Sequence, residues 1–239
     1  MRKIGLYSKS INDQNLKFIK KLVDCIREEI APQLLLHENL VNIPSLYDPA
    51  KDQVFSGADL ISSSVELLIS FGGDGTLLDT VTMIKNSNIP ILGINAGRLG
   101  FLANITQDDI VSAVRVIKER KFRIDERTVV EISNAKDLNG VGCAFALNEI
   151  TIHKKDSSSM LMINANINDE FLNTYWADGL IVATPTGSTA YSLSCGGPIL
   201  SPGSDNLVIT PISPHNLNLR PLVVSDDVEI RLAAESREG

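Results

Sequence analysis

A chain of 239 residues with 44% hydrophobic content is long enough to bury a sizeable core, in one large domain or two smaller ones. Its net charge of −7 leaves no clustered Lys and Arg footprint for a polyanion, which excludes a nucleic-acid partner from the expectations. No apolar run approaches a membrane span, and the apolar stretch in "MRKIGLYSKSIND" is too short for a secretory leader, so a soluble, cytoplasmic protein without a membrane partner is expected.

Taken in chain order, "KIGLYS" reads as a short buried strand. Leu16, Ile19, Val23, Ile26 and Ile30 then repeat at the spacing of one helix face. "VELLIS" is the next strong strand, followed by the glycine cluster of "SFGGDGTLLDT" and a helical stripe at Leu77, Leu78, Val81 and Ile84. "IPILGIN" and the helix of Ile110, Val114 and Ile117, opened by "TQDD", repeat the unit. Repeated β-α units predict a parallel sheet covered by helices. From about Arg123 the character changes: "RTVVEIS", "CAFALNEITIH", "MLMINANIN", "EFLNTYWADGLIVATP" and "LVVSDDVEIRL" are strand-like, with a helix considered only around Tyr191. "NINDEFLN" is a hairpin candidate. The expected domains are residues 1–122, α/β, and 123–239, β-rich. Cys25, Cys143 and Cys195 are too far apart for a disulfide framework or zinc site and are expected to be buried thiols.

Chemistry concentrates in four segments. Gly72, Gly73 and Gly75 lie in a turn between strand and helix, where backbone N–H groups can cradle a phosphate; glycines let it approach and permit positive φ, and Thr76 adds a hydroxyl. The loop is neither a Walker loop nor the G-x-G-x-x-G fingerprint. Asp74 among such amides repels an anion, so it either serves chemistry or merely caps the following helix. "GINAGRLGFLANI" offers Arg98 for a phosphate and Phe101 for a base, or else an ordinary turn with a core Phe. Asn148 and Glu149 are adjacent in a strand-like run, so at least one faces polar surroundings, with a solvated strand end as the alternative. Residues 176–202 are dense in small and hydroxyl side chains, with Thr184, Thr186, Ser188, Thr189 and Ser194 as donors and acceptors; Asp178 and Tyr191 suit an amide or a ring.

Together "GGDGT", "NEITIH", "DGLIVATPTGSTAYSLSCGGPILSP" and "TPISPHNLNLRPLVV" closely resemble the bacterial NAD kinase family, in order and over nearly the whole chain. The resemblance implies an N-terminal Rossmann-like α/β domain, an all-β, β-sandwich-like C-terminal domain, and a dinucleotide in the crevice between them. It implies transfer of the γ-phosphoryl of ATP to the 2'-hydroxyl of the adenosine ribose of NAD. Asp74 would be base or orienting carboxylate, Asn148 and Glu149 would hold ribose and adenine-side groups, and Phe101 would flank the adenine. Thr189 and Ala190 would line the adenine and ribose path, with Thr186, Tyr191 and Ser194 along the dinucleotide. Asp178 would accept from the nicotinamide carboxamide, with His215 nearby. Gly72, Gly73, Gly75, Thr76 and Arg98 would serve ATP, and Gly75 the dinucleotide as well. A divalent metal, Mg²⁺, would arrive with ATP, and no residue is assigned to it. The family implies a homodimer or homotetramer. Its members usually continue past a segment like "SDDVEIRLAAESREG", so a truncated C-terminal end is expected. The rivals are a diacylglycerol-type lipid kinase, which leaves residues 176–202 unexplained, and a non-catalytic NAD sensor.

Overall fold

The structure is a computed structural model, and it describes residues 3–57, 64–85, 87–97, 100–135, 144–155 and 160–236. Two compact units divide the chain, Met1–Ile124 and Asp125–Gly239.

The first unit opens with β1 (Lys3–Tyr7) and α1 (Asp13–Glu29). Asn12 starts α1 by accepting from the N–H groups of Gln14 and Asn15, while the Asn15 side chain accepts from the Asn12 N–H. β2 (Gln33–His37), α2 (Glu38–Val41) and β3 (Gln53–Phe55) follow. Sequence periodicity passed over these three; α2 and β3 are only four and three residues long. β4 (Leu67–Gly72), α3 (Asp74–Ile84), β5 (Ile91–Asn95) and α4 (Ile110–Glu119) complete the unit. The strands form one parallel sheet in the order β3-β2-β1-β4-β5. Strand alternation sends Leu34, Leu36, Leu67, Ile69 and Phe71 to a core with Ile19, Leu22, Val23 and Ile26 of α1 and Ile110, Val114 and Ile117 of α4. Leu35 and Leu68 face the opposite way, with Phe55, Met83 and Ile84. Burying each such Leu or Ile contributes about 1.5–3 kcal/mol. The strand order reverses between β1 and β4, and the carboxyl ends beside such a reversal are where open α/β sheets take ligands. Gly72 ends β4 there.

The second unit contains β6 (Val130–Glu131) paired with β7 (Phe145–Ala146), and two larger antiparallel sheets. The larger sheets are built from β8 (Glu149–His153), β9 (Leu161–Ile167), β10 (Glu170–Ala177), β11 (Gly179–Ala183), β12 (Asn206–Ile212), β13 (Leu222–Ser225) and β14 (Ile230–Ser236). Their orders are β10-β9-β14 and β13-β12-β11-β8. Ile163, Ala165 and Tyr175 of one and Leu180 and Ile209 of the other share a core, the arrangement of a β-sandwich. The expected hairpin is present: Asn168 and Asp169 join β9 to β10 with φ of 48° and 67°, a two-residue turn in which both positions are left-handed. β11 is buried along its whole length because Ile181 and Ala183, on the face away from that core, pack with Cys195 and Leu200 of the hydroxyl-rich segment. That segment holds a 3-10 turn (Gly187–Thr189) and α5 (Tyr191–Ser194).

Cys25 and Cys195 are only half buried, on the margins of their cores, which corrects the expectation of buried thiols; partial burial pushes both thiols up. Cys143 lies outside the described residues.

Candidate functional site

In the first unit the candidate site is the turn from β4 into α3. Gly73 is the N-cap of α3 and supplies no side-chain cap; Asp74 is the first helical residue and does not cap the helix either. Its carboxylate instead reaches the loop after β5, where Oδ2 accepts from the Phe101 N–H (2.8 Å) and Oδ1 from the N–H groups of Leu102 (3.0 Å) and Ala103 (3.1 Å). The capping alternative is thereby corrected: a side chain at the first helical position can reach outward to a neighbouring loop more easily than back to its own first turn.

The three glycines differ. A Cβ on Gly72 would stand 2.2 Å from Thr76 Oγ1, so packing requires that glycine. Gly73 and Gly75 face open space, with nothing within 4 Å of a built Cβ. None of the three has positive φ, so the conformational reason anticipated from the sequence does not operate. At the helix start the N–H groups of Asp74 and Gly75 have no upstream helical carbonyl to bond. Thr76 is half buried one turn before Thr80, whose hydroxyl donates to the Thr76 carbonyl. Phe101 is 76% exposed and so is no core residue, whereas Arg98 lies outside the described residues.

In the second unit, Asn148 and Glu149 sit where β8 begins, Glu149 opposite Ala183 at the end of β11. The following turn is seated on their backbone: the Thr184 N–H donates to the Asn148 carbonyl (2.8 Å), and the Thr184 hydroxyl donates to that of Leu147. A Cβ on Gly187 would come within 2.0 Å of the Asn148 carbonyl oxygen. Asn148 Oδ1 and Glu149 Oε2 are both buried without a hydrogen-bond partner in the protein, so this is not a solvated strand end. Burial pushes the Glu149 carboxyl above its ordinary value.

Much of the hydroxyl density nearby is structural, which the sequence alone did not reveal. Thr184 holds the turn, Ser188 donates to the Pro185 carbonyl and accepts from Leu200, and Ser192 bonds Thr210. A loop packed over an apolar sheet must satisfy its own carbonyls, and short hydroxyl side chains do so. Thr186 is buried, and its hydroxyl accepts from Arg127; Thr189 donates to the Thr186 carbonyl (3.3 Å). Ala190 is half buried, and Tyr191 and Ser194 are exposed.

Asp178, between β10 and β11, pairs with the Lys154 ammonium at 2.6 Å. His215 is exposed and held by its N–H to the Trp176 carbonyl (2.8 Å), not packed in a core. The His37 ring is buried at the end of β2, and burial pushes it below its ordinary value; His153 is exposed on β8. Sequence reasoning missed Lys154, Arg127 and the amide clamp on Asp74. The glycine in "GRLGFLAN" was the one available signal for the clamp.

Residues 9–122 match the ATP-NAD kinase N-terminal domain family, and residues 147–239 match the ATP-NAD kinase C-terminal domain family. The NAD kinase of Flavobacterium psychrophilum is 47% identical over 234 residues, covering 95% of this chain and 73% of that protein. The NAD kinase of Flavobacterium johnsoniae is 42% identical over 246 residues, with 99% and 81% covered. Among solved structures, yeast NADH kinase complexed with NADH superposes with a TM-score of 0.85 at 27% identity, over 97% of this chain and 72% of that one. An NAD kinase from Archaeoglobus fulgidus in complex with ATP gives 0.71 at 25% identity, over 98% and 81%.

Proposed function

The chain belongs to the ATP-NAD kinase family, and from that membership we infer that it transfers the γ-phosphoryl of ATP to the 2'-hydroxyl of the adenosine ribose of NAD, giving NADP. Two observations, one in each unit, support the residue assignments: in the second, buried oxygens on Asn148 and Glu149 have no hydrogen-bond partner in the protein, and in the first, the Asp74 carboxylate is held in a fixed orientation by three backbone N–H groups. Buried acceptors without partners suit a ligand that brings donors, as ribose hydroxyls and the adenine amino group do.

Phosphoryl transfer asks for positioning, charge neutralisation and an acceptor for the hydroxyl proton. Asp74 takes that proton. The N–H groups at the start of α3, reached past Gly73 and Gly75, hold phosphate oxygens, with Gly72 and Thr76 shaping the turn and Arg98 adding charge. Phe101 packs on the adenine; Thr186, Thr189, Ala190, Tyr191, Ser194 and His215 line the dinucleotide. Asp178 receives the carboxamide of the nicotinamide, its charge balanced by Lys154. Among the described residues no group of three His, Cys, Asp or Glu could hold a metal ion. A divalent cation, Mg²⁺, would enter bound to the triphosphate and keep several waters, with no residue of this chain assigned to it, and would neutralise phosphate charge. The assembly is a homodimer or homotetramer, to be read from light scattering, and the setting is the cytoplasm; among the described residues no helix is long and apolar enough to cross a membrane.

The test is Asp74→Asn, assayed with NAD, ATP and Mg²⁺ and a coupled NADP-dependent dehydrogenase. Turnover falls by roughly 10² to 10⁴ while NAD still binds, because an amide hydrogen-bonds ribose but accepts no proton. Parent turnover in the variant would refute the assignment. Phosphorylation of diacylglycerol in place of NAD would favour the lipid-kinase alternative.

A further inference from the structure

The three N–H groups on Asp74 are divided unequally. Oδ1 accepts two, from Leu102 and Ala103, and Oδ2 accepts one, from Phe101. Each oxygen of an ionised carboxylate offers two in-plane acceptor sites. Oδ1 is therefore filled, and Oδ2 keeps one site open.

The donating loop is itself pinned. Asn95, 2% exposed at the end of β5, donates from its side chain to the Ala103 carbonyl (3.2 Å) and accepts from the Gly97 N–H (2.7 Å). A Cβ on Gly93 would stand 2.9 Å from the Ala103 Cα, so the loop lies directly on the strand. A Cβ on Gly100 would stand 2.2 Å from Asp74 Oδ1, 2.4 Å from its Cγ and 2.5 Å from Oδ2. All three carboxyl atoms occupy the space that any other residue at position 100 would fill.

We propose that Gly100–Ala103 is the positioning element of the transfer: its N–H groups clamp the Asp74 carboxylate so that Oδ2 alone stays open to the acceptor hydroxyl, and the missing side chain of Gly100 lets the clamp close. The proposal rests on Asp74 being the base. In the step, the ribose oxygen bonds the γ-phosphorus of ATP and its proton passes to Oδ2. The bond from that phosphorus to the β,γ-bridging oxygen breaks, and ADP leaves with the electron pair. Gly100 touches no reacting atom; it acts through the orientation of Asp74.

The experiment measures ATP-dependent NADP formation and Tm for the whole chain with Gly100→Ala, with Asp74→Asn and with both. Gly100→Ala lowers kcat about 10- to 100-fold, the scale of a misplacement near 1 Å. KM for NAD stays within about threefold, as expected when binding contacts survive. In the Asp74→Asn background the same change alters the residual rate by less than about twofold, because no carboxylate is left to misplace. Parent kcat in Gly100→Ala, or an equal fall in both backgrounds, overturns the proposal. Parent turnover in Asp74→Asn overturns the base assignment instead, so the two failures are distinguishable. Should Gly100→Ala fail to fold, the α-hydroxy analogue of leucine placed at position 102 removes one N–H from Oδ1 without adding an atom. There a fall in kcat with KM retained supports the clamp, and unchanged kcat overturns it.

Discussion

Gly75→Ala separates the needs of the fold from those of the proposed phosphate site, because the two move in opposite directions. Gly75 is the second residue of α3, has no positive φ, and would place a Cβ in open space with nothing within 4 Å. Alanine in a helix is favoured over glycine by about 0.5–1 kcal/mol, since glycine loses more backbone freedom on folding. In a chain of this length that gain raises Tm by about 1–4 °C. A Cβ in a helix tilts toward the helix N-terminus, so the same methyl group crowds the approach to the N–H groups there, where a phosphate oxygen must come within about 3 Å. Losing one charge-assisted hydrogen bond of about 1.5–3 kcal/mol lowers kcat/KM for ATP by roughly 10- to 100-fold. Differential scanning fluorimetry gives the first quantity and ATP titration in the coupled assay the second. A higher Tm with unchanged ATP kinetics would remove Gly75 from the phosphate site. A lower Tm would show that the space beside it is not open.

Two other substitutions probe the second unit. Glu149→Gln raises Tm at neutral pH, because the amide removes a charge whose burial is unfavourable. Burial raises the folded carboxyl above its ordinary 4.5, so the folded state favours the protonated form; that contribution is present below 4.5 and is lost as pH rises through the folded value. The advantage of Gln therefore shrinks to nothing below pH 4.5, and a Tm difference independent of pH would contradict it; NAD affinity falls in the same variant. Asp178→Asn removes the negative charge that would repel the carboxylate of nicotinic acid adenine dinucleotide and would accept from the carboxamide of NAD. The ratio of specificity constants for NAD over that analogue narrows by about tenfold, within the range of one charged hydrogen bond. An unchanged ratio would remove Asp178 from the nicotinamide end.

The sequence by itself determined the long periodic elements and the chemistry. Ile19, Val23 and Ile26 announce α1 because one helix face must be apolar to be buried, and Ile110, Val114 and Ile117 announce α4 for the same reason. The Asn-Asp pair announces the hairpin because few residues accept left-handed φ. The ordered motifs identified the family, because their residue types and order recur along nearly the whole chain. β3, at three residues, carries too few periods to be legible, and β2, no shorter than β1 or β5, is fixed as a strand by its pairing with β1 and β3. Which hydroxyls are structural, which glycines a neighbour requires, and that Asp74 binds a loop 27 to 29 residues away and not its own helix, only the tertiary structure decided. Such contacts join residues distant in sequence, and local pattern carries no record of the distances between them.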